Sequence, residues 1–264
     1  MKKIAFFDID GTLTSEIDRE IPDSTVYAIR RARENGHLMF INTGRCFQNV
    51  EPRFRDIGFD GYVCGCGTNV YCGGRSIFYR QVNSAVTAAI LSIARKVNID
   101  ILFEARDYVS YDLTRPLKHI DAIRQYEAFV DRGYDMSVTP DMPGFTCDKF
   151  VIWFESERQL REFRRVSDQW FTCIDRHGHF REFVPHGCSK ATGMQLVLDY
   201  YRLPKSNAYA FGDSNNDLAM LSYLPNSIAM GNAYPPSLKE HVSYVTAASS
   251  ADGIKLALAH FGFI

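Results

Sequence analysis

At 264 residues, 46% hydrophobic and 23% charged, the chain has the make-up of an ordinary globular protein, long enough for two domains rather than one core. Thirty Lys and Arg against thirty-one Asp and Glu leave a net charge of −1, with no block of one sign, which speaks against nucleic-acid wrapping or a polybasic membrane anchor and for a small ligand. No apolar run reaches the roughly 18 residues of a membrane helix, MKK leads straight into a strand rather than a signal sequence, and seven scattered cysteines suit reduced thiols, so a cytoplasmic location is expected.

The chain opens on KIAFFDIDGTL, a short Ile- and Phe-rich run stopped at Asp8 and Gly11, which reads as a buried strand ending in a turn. Pro22 and the Asp23/Ser24 pair open an amphipathic helix through Arg33 that stops at Asn35-Gly36. HLMFINTGR is a second apolar strand running into a glycine turn, and this βαβ start predicts an α/β fold with a parallel sheet. A helix over about residues 48–57 is expected next, then the strand GYVCGCG, then TNVYC and SIFYRQV as a hairpin around Gly73-Gly74.

From residue 82 to 185 the pattern changes to helices separated by amphipathic strands: AVTAAILSIARKV, IDILFEA, YVSYDL, KHIDAIRQYEAFV, DKFVIWF, RQLREFRRV, FTCID and REFV. That is the pattern of an α+β unit on a largely antiparallel sheet, inserted into the first fold. After Pro185 the chain reverts to KATGMQLVLDYY, a helix; NAYAFGDSNND, an apolar strand ending in acids; NSIAMGNA, another strand; and a last helix over about residues 252–261. Cys64, Cys66 and Cys72 lack the paired spacing of a zinc site, and His177, His179 and His186 fall in and around an RHGH turn.

Four elements of the outer segments end in polar clusters: Asp8-Ile9-Asp10-Gly11-Thr12; Thr43-Gly44-Arg45; Lys190 at a helix start; and Gly212-Asp213-Ser214-Asn215-Asn216-Asp217. Ligands of open parallel sheets gather at such strand ends. Asp-Gly and Thr-Gly are ordinary turn pairs, and the two acidic stretches share the opening of a calcium loop, but neither has its sixth-position Gly and twelfth-position Glu, and both follow strands rather than helices. GCGTNV lacks the third glycine of a dinucleotide fingerprint, and neither a P-loop nor a G-x-S-x-G elbow is present. Four coincidences in this order leave little room for an accidental origin.

Together these clusters resemble the four motifs of the haloacid dehalogenase superfamily, and the long insertion between Thr43 and Lys190 resembles the type-2 cap of its Cof-like sugar-phosphatase branch. The resemblance implies a Rossmann-like core, residues 1–81 and 186–264, with an inserted α+β cap domain, residues 82–185. It implies a magnesium-dependent phosphatase of small phosphorylated metabolites. Asp8 would be the nucleophile and Asp10 the acid and base. Asp8, the Asp10 carbonyl and Asp213 would be the Mg2+ ligands, while Thr43, Gly44, Lys190 and Asn216 would bind phosphate and Asp217 would orient Lys190 or a metal-bound water. The chemistry of the residues agrees, since a carboxylate attacks a phosphomonoester only where positive charge cancels their repulsion. Substrate contacts are sought among Arg45, Asp148, Lys149 and Glu182, with Arg45 and Glu182 foremost. A phosphomutase would keep both Asp8 and Asp10, whereas a receiver-like phosphorylation switch would be shorter and carry its acidic pair on a separate strand.

Overall fold

A computed structural model describes residues 1–264, and the chain divides into two compact units. One comprises Met1–Arg45, Asn49–Tyr79 and Cys188–Ile264; the other comprises Arg80–Gly187 together with the short return Cys46–Gln48.

The first unit begins with β1 (Ile4–Phe7), all four residues buried, then α1 (Asp23–Glu34), β2 (Leu38–Asn42), the one-turn helix α2 (Pro52–Arg55), β3 (Gly61–Cys64), β4 (Asn69–Cys72) and β5 (Arg75–Tyr79). The helix expected over residues 48–57 is broken: Phe47–Asn49 forms a 3-10 turn, and α2 starts only at Pro52. Proline lacks an amide proton and disfavours helical backbone in the residue before it, here Glu51 in extended conformation, so it can begin a helix but not continue one.

The second unit contains α3 (Ser84–Val97), β6 (Asp100–Glu104), β7 (Val109–Tyr111), α4 (Ile120–Asp131), β8 (Lys149–Trp153), α5 (Glu157–Ser167), β9 (Phe171–Asp175) and β10 (Phe180–Pro185). Its strands form one antiparallel sheet in the order β7-β6-β8-β10-β9. Alternation divides the side chains between two faces. Phe150 and Ile152 of β8 join Ile101, Phe103 and Phe183 in a core with Leu91 and Ala94 of α3 and Phe163 of α5, while Val151 and Trp153 pack with Leu102, Tyr111, and Ala122 and Phe129 of α4.

The chain then completes the first unit with α6 (Lys190–Tyr201), β11 (Ala208–Ser214), the short α7 (Leu218–Leu221), β12 (Asn226–Tyr234), the two-residue β13 (Tyr244–Val245) and α8 (Gly253–His260). Eight strands lie in the order β13-β12-β11-β1-β2-β3-β4-β5, parallel from β13 to β3 and antiparallel in the last two pairings, β3 with β4 and β4 with β5. Phe6, Phe7, Phe40 and Phe211 are fully excluded from water, each contributing about 1.5–3 kcal/mol by burial. β1 lies between β2, which follows it in the chain, and β11, which comes some 200 residues later, so strand order reverses here. The crevice at such a reversal opens at the carboxyl ends of the strands. Six of the seven cysteines are buried.

Candidate active site

Asp8 is the first residue past β1, and its amide donates to the Phe211 carbonyl of β11 at 3.0 Å, which holds the turn against the neighbouring strand. Its carboxylate is buried and accepts from Lys190 Nζ at 2.5 Å. Lys190 donates equally to Asp217, also at 2.5 Å, and is only 1% exposed. It opens α6, whose Ser189/Thr192 capping box fixes the first turn. A cation at a helix N-terminus faces the wrong end of the dipole, so the two carboxylates must hold it there. Burial pushes the ammonium down, but Asp217 and Asp8 outweigh burial and keep it above its ordinary range.

Asp213, the penultimate residue of β11, accepts from the Thr12 hydroxyl at 2.9 Å. Gly11 sits beneath it with φ of +82°, and an added Cβ would lie 2.4 Å from Asp213 Oδ2, so a side chain is excluded both by backbone conformation and by space. Asp217 is fully buried; besides Lys190 it accepts from the amides of Asp213 and Ser214 at 2.9 and 3.0 Å. Oxygens of Asp8, Asp213 and Asp217 lie within 4.8 Å of one another. Burial, with repulsion from Asp217 and the other acids, raises Asp8 to about 6 and Asp213 to about 8.

This donor set fits a hard divalent cation, because it is all oxygen and carries more negative charge than Lys190 can offset. Both Asp217 oxygens already accept protein hydrogen bonds, whereas Asp8 and Asp213 each keep one oxygen clear of donors.

Asp10, in contrast, is held out at the surface. Arg45 clasps its carboxylate with two hydrogen bonds, 3.0 and 2.6 Å, and also reaches Glu51 and the Asn49 carbonyl. Thr43 is buried at the end of β2, with its hydroxyl accepting from the Arg45 amide, and Gly44 lies in the same turn. Asn216 is buried and accepts from the Ser214 hydroxyl. Glu182 lies in the second unit, buried on β10 and bonded to Lys149; Asp148 is buried there as well.

Sequence reasoning passed over Asn42, whose amide nitrogen donates to the Lys190 carbonyl and ties the end of β2 to the start of α6. A polar residue closing the apolar run LMFIN was the available signal. It also passed over Asn232 on β12, which donates to the Gly11 carbonyl at 2.7 Å.

Residues 5–258 match the family model for haloacid dehalogenase-like hydrolases. The chain is 29% identical to YkrA of Bacillus subtilis (strain 168), a protein provisionally named a phosphatase, over 99% of this chain and 98% of that one. It is 25% identical to the 5-amino-6-(5-phospho-D-ribitylamino)uracil phosphatase YitU of the same organism, over 94% and 93%. Among solved structures, BT1666 from Bacteroides thetaiotaomicron, described among phosphatases of the HAD superfamily, superposes with a TM-score of 0.83 at 25% identity, covering 100% of this chain and 96% of that one.

Proposed function

This chain belongs to the haloacid dehalogenase-like hydrolases and is a phosphatase of that family, and on that premise we propose that it hydrolyses small phosphorylated metabolites through an aspartyl-phosphate on Asp8, with Mg2+ as cofactor. The observation that carries this reading is the buried Lys190 shared between Asp8 and Asp217, with Asp213 beside them, at the strand-order reversal of a parallel sheet. YitU, named for a phosphorylated ribitylamino-uracil, supports a small phosphorylated substrate.

Asp8 attacks phosphorus through its carboxylate, and the bond to the leaving alcohol breaks as the phosphoryl moves to the enzyme. Lys190 supplies a fixed positive charge for the transferring group, and Thr43, the Gly44 amide and Asn216 hold its oxygens. Asp8, the Asp10 carbonyl and Asp213 would hold a magnesium ion, which, when bound, would neutralise phosphate charge that Lys190 alone leaves unbalanced. Asp217 keeps Lys190 in place. The Asp10 side chain protonates the departing alcohol, then accepts a proton from the water that hydrolyses the acyl-phosphate.

Arg45 bears on that second role. It now holds the Asp10 carboxylate in two hydrogen bonds, which must open before that carboxylate can reach the departing alcohol. Arg45 is free to meet the organic part of the substrate only after its present ion pair with Asp10 opens, and Glu182 is held by Lys149 within the second unit.

A panel of metabolite phosphates with magnesium tests the proposal: phosphate release is expected from at least one small phosphomonoester, and Asp8→Asn should abolish it while the circular dichroism spectrum and melting temperature hold. Undiminished release by Asp8→Asn would remove Asp8 as nucleophile. Transfer of phosphate between two positions of one sugar, with no free phosphate, would make the enzyme a mutase.

A further inference from the structure

The turn that carries Asp10 is held from behind by residues the proposed reaction leaves unused. Asn232, near the end of β12, donates through Nδ2 to the Gly11 carbonyl at 2.7 Å. Its Oδ1 accepts the Ser249 amide at 2.9 Å. Ser249, 1% exposed, turns its hydroxyl to Glu16 at 2.6 Å, and Ser250 adds its amide at 3.1 Å and its hydroxyl at 2.5 Å to the same carboxylate. Glu16 lies just past the Asp10 turn, so the loop is gripped at Gly11 and at Glu16 by one continuous chain of hydrogen bonds.

The close approach is built into the backbone. At Gly231 a Cβ would stand 2.6 Å from the Ala248 amide nitrogen and 2.8 Å from the Ala247 carbonyl carbon, so only glycine lets residues 246–248 run directly against β12. The Gly231 amide donates to the Ala247 carbonyl at 3.0 Å, which brings Ser249 level with Asn232. At Glu16 partial burial pushes the carboxyl up, but the Ser249 and Ser250 hydroxyls outweigh it and bring it down to about 2, so the outer grip is charged through the neutral range.

We propose that Asn232 is a positioning residue for the phosphoryl transfer proposed above, braced by Ser249 and Glu16. It fixes the Gly11–Thr12 peptide plane and with it both neighbours of that plane. On one side is Asp10, whose carbonyl and carboxylate are needed at the reacting group; on the other is Thr12, whose hydroxyl holds Asp213. Gly11 has a wide choice of backbone angles, and a carbonyl with no partner would let the turn reorient. A shift of ~1 Å in a reacting group can cost on the order of 10²-fold in rate.

The inference rests on the proposed phosphatase reaction, and its test separates the two by adding a readout that needs no turnover. In the full-length protein, Asn232→Ala and Asn232→Asp are compared with wild type by amide hydrogen exchange and by kinetics on p-nitrophenyl phosphate with magnesium. Asn232→Asp keeps the acceptor for Ser249 and removes the donor to Gly11, which makes it the informative variant if alanine compromises folding. Both should speed exchange of the Thr12 and Leu13 amides by about tenfold or more while β2 is unchanged. Both should lower kcat by on the order of 10- to 100-fold with KM within about threefold. Ser249→Ala, which retains the amide to Asn232, should give a smaller loss. Unaltered exchange at Thr12 and Leu13, or kcat at the wild-type level in Asn232→Asp, overturns the proposal. A wild-type enzyme that releases no phosphate would refute the reaction, and exchange would then still decide whether Asn232 holds the turn.

Discussion

Each unit of this chain buries one lysine between two carboxylates, and the two arrangements differ in how their charges close. In the second unit, Lys149 bonds to Glu104 and, at 2.7 Å, to Glu182, all three at most 5% exposed, and Arg176 lies 3.7 Å from Glu182. Two acids meet two bases. The register Glu104↔Lys149 and Glu182↔Val151 places the three residues on adjacent strands of one sheet face, where cross-strand pairs form by default. In the first unit, Lys190 faces Asp8 and Asp217 with Asp213 beside them, so three acids meet one base. Here the residues come from separate elements that converge at strand ends. A balanced cluster is complete as it stands; in the unbalanced one the acids outnumber the base, and a divalent cation can meet the charge they carry. Burial of charge alone therefore does not single out the site proposed above; the excess of acids over bases does.

Exchanging each lysine for a neutral side chain of similar length gives the largest contrast. Lys190→Met should lower kcat by about 10²–10³-fold, the usual cost of losing one preorganised partner of developing charge, measured with saturating magnesium on the best substrate of the panel. Lys149→Met should act on stability instead: it strands buried glutamates, and breaking such a pair costs about 3–5 kcal/mol, read from urea unfolding. A stable Lys149→Met protein with the rate loss of Lys190→Met would reverse the two assignments.

Magnesium discriminates less strongly but more directly. The ion should raise the unfolding free energy by about 2.7 kcal/mol at a concentration a hundred times its Kd. Asp213→Asn should abolish that gain, and Glu182→Gln should leave it intact, since the second cluster has no charge to spare. Equal magnesium stabilisation of wild type and Asp213→Asn in thermal melts would place the ion elsewhere.

The unbalanced cluster was legible in the sequence and the balanced one was not, for a physical reason. Asp8, Thr43 and Asp213 each interrupt an apolar run, and Lys190 follows a capping serine, so each announces an element's end where parallel sheets collect ligands. Lys149 and Glu182 read in the sequence as candidate substrate contacts and not as each other's partners, because the partner of a strand residue depends on register between segments dozens of residues apart. The same distance hid the clasp of Arg45 on Asp10 and the contact of Asn232 with Gly11, which are 35 and 221 residues apart in sequence. The break before α2 is readable at Pro52, because the residue before a proline disfavours helical backbone. Local signals fixed strands, caps and turns; contacts between elements required the fold.

The smallest test concerns pH. Burial raises Glu104 above its ordinary 4.5, although Lys149 opposes the shift. For an acid displaced upward, the stabilising contribution is complete below the unfolded value and is lost as pH climbs through the folded value. Wild-type protein should therefore forfeit part of the second unit's stability on going from about pH 4.5 toward the alkaline side, whereas Glu104→Gln, which can still accept from Lys149, has no proton to lose there. The difference in melting temperature between the variant and wild type should shift in the variant's favour as pH rises, and magnesium should leave that trend unchanged because this cluster is already neutral overall. A flat difference across the range would mean that Lys149 and Arg176 fully offset the cost of burying Glu104; a difference that narrows when magnesium is added would mean that the second cluster, too, binds the ion, and the contrast between the two lysines would fail.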